Sequence, residues 1–174
     1  MSGLNKGVGK VEVSLKWDPS PAGSPAHDLD LVAGVYPADG PFGPPAYLVH
    51  FDSRSPDGTI TLQRDSRTGQ GLGFDESMVL ELTRLAPVYA RVVVGVAIQQ
   101  GGGRIAFGQV GGTGVRVREG YTDLLVDDFG VLAQATAATV VEFTRDPAGD
   151  WSWQPLLRGF DTDPGSFGTV MGAA

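Results

Sequence analysis

The chain has 174 residues, 41% apolar and 19% charged, with 26 glycines and 12 prolines, a balance that suits one globular domain of short strands and many turns. Its formal charge of −7 disfavours nonspecific binding to nucleic-acid phosphates. With no cysteine, disulfides, thiolate zinc sites and cysteine nucleophiles are excluded.

Taken in order, the segments alternate with a period of two, the signature of half-buried strands. Val11 to Trp17 places Val11, Val13, Leu15 and Trp17 on one face. A proline-rich break from Asp18 to Pro25 precedes a second strand over Asp28 to Tyr36. Tyr47 to Phe51 forms a third, closed by the turn Ser55-Pro56-Asp57-Gly58, where Pro presets φ and Gly accepts positive φ. Thr59 to Leu62 resumes the sheet, a glycine-punctuated loop runs from Asp65 to Gly73, and another strand surrounds Met78 to Leu82. Arg91 to Ile98 is continuously apolar after its first residue, as in a central strand buried on both faces. Further strands are expected at 114–118, 121–126, 137–144 and 151–157, and a helical turn between Asp127 and Ala133. The pattern predicts an all-β fold, a two-sheet antiparallel β-sandwich with a few short helical turns. It spans a single domain, 1–174, with 1–8 and 161–174 expected to be loosely ordered.

No segment approaches the ~18 consecutive apolar residues of a membrane span. Met1 to Gly7 lacks the apolar run of a signal peptide. The expected location is therefore cytoplasmic.

Two acidic stretches carry the functional signal. In Asp28-Leu29-Asp30-Leu31 the strand period puts both carboxylates on one face. Roughly 7 Å apart, they either face water or share a cation. The second stretch, Asp65 to Glu76, has carboxylates at its ends (Asp65, Asp75, Glu76) and the neutral oxygens of Ser66, Thr68 and Gln70 between them. It reads either as a hairpin loop or as part of an oxygen cage for calcium, which takes about six to eight such ligands. The spacing is not that of an EF-hand, and the glycine run is not a phosphate loop, because no Lys-Ser/Thr pair follows it.

In this order, these segments resemble the TerD family of tellurite-resistance and general-stress proteins. The likeness rests on Trp17-Asp18-Pro19, Asp28-Leu29-Asp30, Ser55-Pro56-Asp57-Gly58 and the run from Asp65 to Glu76. Phe107-Gly108-Gln109-Val110 and the segment from Trp151 to Phe160 add to it. The resemblance implies a bacterial, calcium-binding stress protein without catalytic activity. Its partners would be other proteins of the same stress system, with the membrane surface as a meeting place. By the same likeness the ligands would be Asp28, Asp30, Asp65, Asp75 and Glu76, completed by Ser66, Thr68, Gln70 and nearby carbonyls. This sequence has Ala26, Gln70, Leu72 and Phe74 at positions that are acidic in the family pattern. Fewer carboxylates imply weaker calcium binding, with one robust site or two weak ones. His27 is a conceivable replacement ligand, better suited to a transition metal than to calcium.

Catalysis finds little material. Asp28 and Asp30 are neighbours on one strand, whereas glycosidase acids face each other across a cleft. Neither His27 nor His50 has a nucleophile motif beside it. The other function class is a carbohydrate- or small-ligand-binding sandwich without metal, which would display Trp17, Trp151 or Trp153 on its surface.

Overall fold

The computed structural model describes residues 7–71, 73–101 and 103–173. Its strands are β1 (Lys10–Lys16), β2 (Leu29–Pro37), β3 (Tyr47–Val49), β4 (Ile60–Arg64) and β5 (Glu76–Glu81), then β6 (Tyr89–Ile98), β7 (Gly114–Glu119), β8 (Thr122–Asp127), β9 (Ala137–Arg145) and β10 (Trp151–Phe160). One sheet has the order β4-β5-β1-β7-β8 and the other β10-β9-β6-β2-β3. Neighbouring strands within each sheet are antiparallel. The all-β sandwich expected from the alternation is the observed fold, and a 3-10 turn at Gly130–Leu132 occupies the expected helical turn.

The period-two pattern assigns the core. Val11, Val13 and Leu15 of β1 meet Leu29, Leu31, Ala33 and Val35 of β2 between the sheets. Each fully buried branched side chain contributes about 1.5–3 kcal/mol. The alternate residues Val32 and Tyr36 of β2, with Val93 and Ala97 of β6, form a second apolar layer on the outer face of that sheet. This layer explains why β6 is apolar at every position from Val92 to Ile98 except Gly95.

A helix, α1 (Pro164–Val170), covers that outer layer. The C-terminal segment is thus docked, in contrast to the loosely held tail read from the sequence. Pro-Gly-Ser-Phe-Gly-Thr-Val is a poor helix former, with each glycine costing about 1 kcal/mol. Tertiary burial of Phe167 and Met171, 0% and 1% exposed, offsets that cost. Asp163 caps the first turn by accepting from Ser166 N at 2.8 Å, and Pro164 begins the helix, where no N–H is needed. Gly95 admits the Phe167 ring, since a Cβ there would stand 2.7 Å from its Cζ atom. At the other terminus, residues 1–6 lie outside the described residues, while Val8 is buried and donates its N–H to Trp151 O.

Candidate cation site

The acidic segments meet at one end of the sandwich, where β2 and β5 begin. Leu31 lies past the end of β3, whose pairing with β2 covers only Ala33 to Val35. Its N–H is instead taken by Glu76 Oε1 at 2.7 Å. Glu76 thereby crosses from one sheet to the other, and it is fully buried. Asp30, 3% exposed, projects from the outer side of β2 and accepts from Gln99 Nε2 at 2.6 Å. Asp65, just after β4, is exposed and completes the group. One carboxylate oxygen from each of Asp30, Asp65 and Glu76 lies within 4.8 Å of the others.

Crowding and burial make this cluster electrostatically unfavourable. Burial pushes Glu76 up to about 10; the Leu31 N–H opposes this, while Asp30 and Asp65 add to it. Asp30 rises to about 7, chiefly by burial and then by its neighbours Asp28 and Asp65, against the Gln99 hydrogen bond and Arg67. Asp28 rises to about 6 through burial and the nearby Asp65, with Arg67 again opposing. A carboxylate taken from water without a compensating charge favours its protonated form.

The donor set passes a direct test for a hard divalent ion. Glu76 Oε2 is buried with no hydrogen-bond partner, and so is Asp28 Oδ1. Buried acceptors left without donors are costly, and a cation beside Glu76 would satisfy its free oxygen; Asp28 is not one of the three residues whose oxygens cluster. The oxygen-only character suits calcium or magnesium and not a thiophilic metal.

The remaining candidate residues take other places. Asp75 stands beside Glu76 in sequence but outside the cluster. Its Oδ2 accepts from Trp17 N at 2.9 Å. Burial raises its pKa, with the Trp17 N–H and Arg64 opposing and Asp18 reinforcing the rise. The side chains of Ser66 and Thr68 close local turns: Ser66 Oγ accepts from Gly69 N at 3.1 Å and Thr68 Oγ1 from Gln70 N at 3.3 Å. Gln70 is exposed. His27 is not among the clustered ligands, and its carbonyl accepts from Trp17 Nε1 at 2.7 Å. Two residues that sequence reasoning missed are Gln99, which orients Asp30, and Trp17, whose polar contacts were hidden behind its apolar ring. Among the tryptophans, Trp17 and Trp151 are buried and Trp153 is half-buried, so none offers an open aromatic platform.

The fold and the site together define an antiparallel β-sandwich that gathers carboxylates from three chain segments at one end. The TerD domain model matches residues 1–164; the chain belongs to the TerD domain family. It is 27% identical over 154 residues to the tellurium resistance protein TerD of Serratia marcescens, covering 86% of this chain and 80% of that protein. It is 26% identical over 166 residues to general stress protein 16U of Bacillus subtilis (strain 168), covering 90% and 83%. A crystal structure of a homologue of the telluride resistance protein TerD, from Streptomyces coelicolor A3(2), superposes with a TM-score of 0.95 at 56% identity, over 97% of this chain and 99% of that one. Among the described residues no helix is long and apolar enough to cross a membrane.

Proposed function

We propose that this chain is a non-enzymatic calcium-binding protein of a stress response, acting through partner proteins. The observation that carries the reading is the cluster of Asp30, Asp65 and Glu76, together with a buried Glu76 Oε2 that has no hydrogen-bond partner. Asp28, Asp30, Asp65 and Glu76 would hold the ion, with loop carbonyls and water filling the remaining positions of a six- to eight-coordinate shell. The bound ion supplies the positive charge that lets these acids ionise together. The carboxylates crowd one another in place of facing across a cleft, an arrangement suited to holding an ion more than to acid–base work on a substrate. Asp75 fits a structural part, since it caps the Trp17 N–H.

The names of the relatives support the stress and tellurium setting. The reading extends to a cytoplasmic protein of bacterial origin that meets other members of its stress system in a calcium-dependent manner. With no cysteine in the chain, thiol-based reduction of a tellurium oxyanion is not part of it. The test is a thermal melt with calcium, magnesium or chelator, repeated on Asp30→Asn. At 100 times its dissociation constant calcium adds about 2.7 kcal/mol to the wild type. The variant should lose that increment; a wild-type melt indifferent to calcium refutes the proposal.

A further inference from the structure

We infer that Trp17 is the positioning residue of the cation site, contacting each acid-bearing segment through its indole or its backbone N–H. The inference rests on the cation reading above. Three separate contacts converge on it. Its indole Nε1–H donates to the carbonyl of His27 at 2.7 Å, the residue next to Asp28. Its backbone N–H donates to Asp75 Oδ2 at 2.9 Å, the residue next to Glu76. Its ring lies against Gly69, whose backbone turns at φ +77°.

The third contact is the tightest. A Cβ at Gly69 would stand 2.6 Å from Trp17 Nε1 and 2.8 Å from Trp17 O, so only glycine permits both the turn and the approach. Gly69 is tied back toward Asp65 through its N–H, which Ser66 Oγ accepts at 3.1 Å. The three ligand-bearing segments otherwise come from different parts of the chain, 28–30, 65–69 and 75–76. Each of them touches Trp17 within four residues of its ligand.

Trp17 itself belongs to the core and not to the loops. It is 2% exposed and continues the inward row of β1 into the inter-sheet core. An anchor in the core with polar contacts at the rim holds the acids close before an ion arrives. Preorganisation of this kind lowers the ordering cost of binding, so its loss should appear in affinity and not only in stability.

The experiment is calorimetric titration of calcium chloride into the chelator-stripped full chain and into Trp17→Phe, Gly69→Ala and Trp151→Phe. Melts in chelator are recorded alongside. Trp17→Phe keeps an apolar ring and the backbone N–H but removes the indole donor. Its calcium affinity should fall about three- to tenfold, the worth of one partly buried hydrogen bond. Gly69→Ala should weaken calcium at least as much, because its methyl group displaces the loop from the ring, and it keeps the question answerable if Trp17→Phe folds poorly. Trp151→Phe perturbs the core at the far end, so its chelator melt should fall while its calcium affinity stays at the wild-type value. Wild-type affinity in both Trp17→Phe and Gly69→Ala, with lowered melts, overturns the positioning role and leaves the cation reading standing. A wild type that takes up no calcium overturns both.

Discussion

Two ends of the same strand pair handle buried charge in opposite ways. Tyr36 of β2 faces Arg91 of β6, and Arg91 Nε meets Glu142 Oε2 at 2.5 Å on the outer face of the sheet. Its Nη1 donates to the carbonyls of Pro41 and Gly172 at 2.9 and 2.6 Å, its guanidinium stacks with Tyr36 and Phe42, and Gln154 donates to the other oxygen of Glu142. Six residues away along β2, Asp30 faces Ala97, and none of the ion pairs among the described residues includes Asp28, Asp30, Asp65 or Glu76. A buried ion pair costs little more than it returns when its hydrogen bonds are complete. A buried carboxylate without such a partner instead takes up a proton. The first end pairs its charges within the fold; at the second, burial and crowding favour the protonated acids.

Removing one partner at the paired end should have the largest effect. Glu142→Ala leaves the Arg91 guanidinium buried and uncompensated, and denaturant unfolding should show a loss of about 3–5 kcal/mol. The loss should be the same in calcium and in chelator, because this end takes no part in cation binding. A calcium-dependent loss would break the contrast.

At the acid end, Glu76→Gln should behave in the opposite sense. It keeps the shape and the acceptor for Leu31 N but removes the group that must take up a proton on folding at neutral pH, so the melt in chelator should hold or rise. The increment of about 2.7 kcal/mol that calcium gives the wild type at 100 times its dissociation constant should vanish.

The pH dependence sharpens the same contrast. Asp28, Asp30 and Glu76 have folded-state pKa values of about 6, 7 and 10, above those of the unfolded chain. Above pH 4 the folded state therefore holds more protons than the unfolded one, and stability falls as pH rises. In chelator this group's contribution should be greatest near pH 4. It should decline most steeply between pH 4 and 6, more gently beyond pH 6 and 7 once Asp28 and Asp30 ionise, and level off near pH 10 with Glu76. Saturating calcium should flatten or reverse that decline, as melts across pH 5 to 9 would show. The smallest effect belongs to Asp65→Asn. Asp65 is exposed, so the melt in chelator should change by less than about 0.5 kcal/mol, while calcium affinity drops measurably.

Much of the sandwich was legible because its strands obey the period of two. Val11, Val13 and Leu15 point inward as their spacing requires, and the apolar run of β6 follows from having a core on each side. The same rule placed Asp28 and Asp30 on one face, where Asp30 proves to be buried and Asp28 half-buried. Applied to Asp75 and Glu76 it separates them, because consecutive residues along a strand point to opposite sides; only Glu76 joins the cluster. What the sequence could not show was the sheet order that brings β2 and β5 together at one end. Nor could it show Gln99 bonding to Asp30, 69 residues away. Helix α1 escaped notice because its own residues disfavour a helix, which exists through the burial of Phe167 and Met171.

On the proposed reading, the acids at this end would exchange protons for a divalent ion. Calcium titration in weakly buffered solution at pH 7, with proton release followed by a pH indicator, tests it most directly. Calcium should release about one or more protons per site filled, since Glu76 and part of the Asp30 population are protonated beforehand, and Glu76→Gln should abolish most of that release. Calcium uptake without protons, or no uptake at all, would contradict the claim.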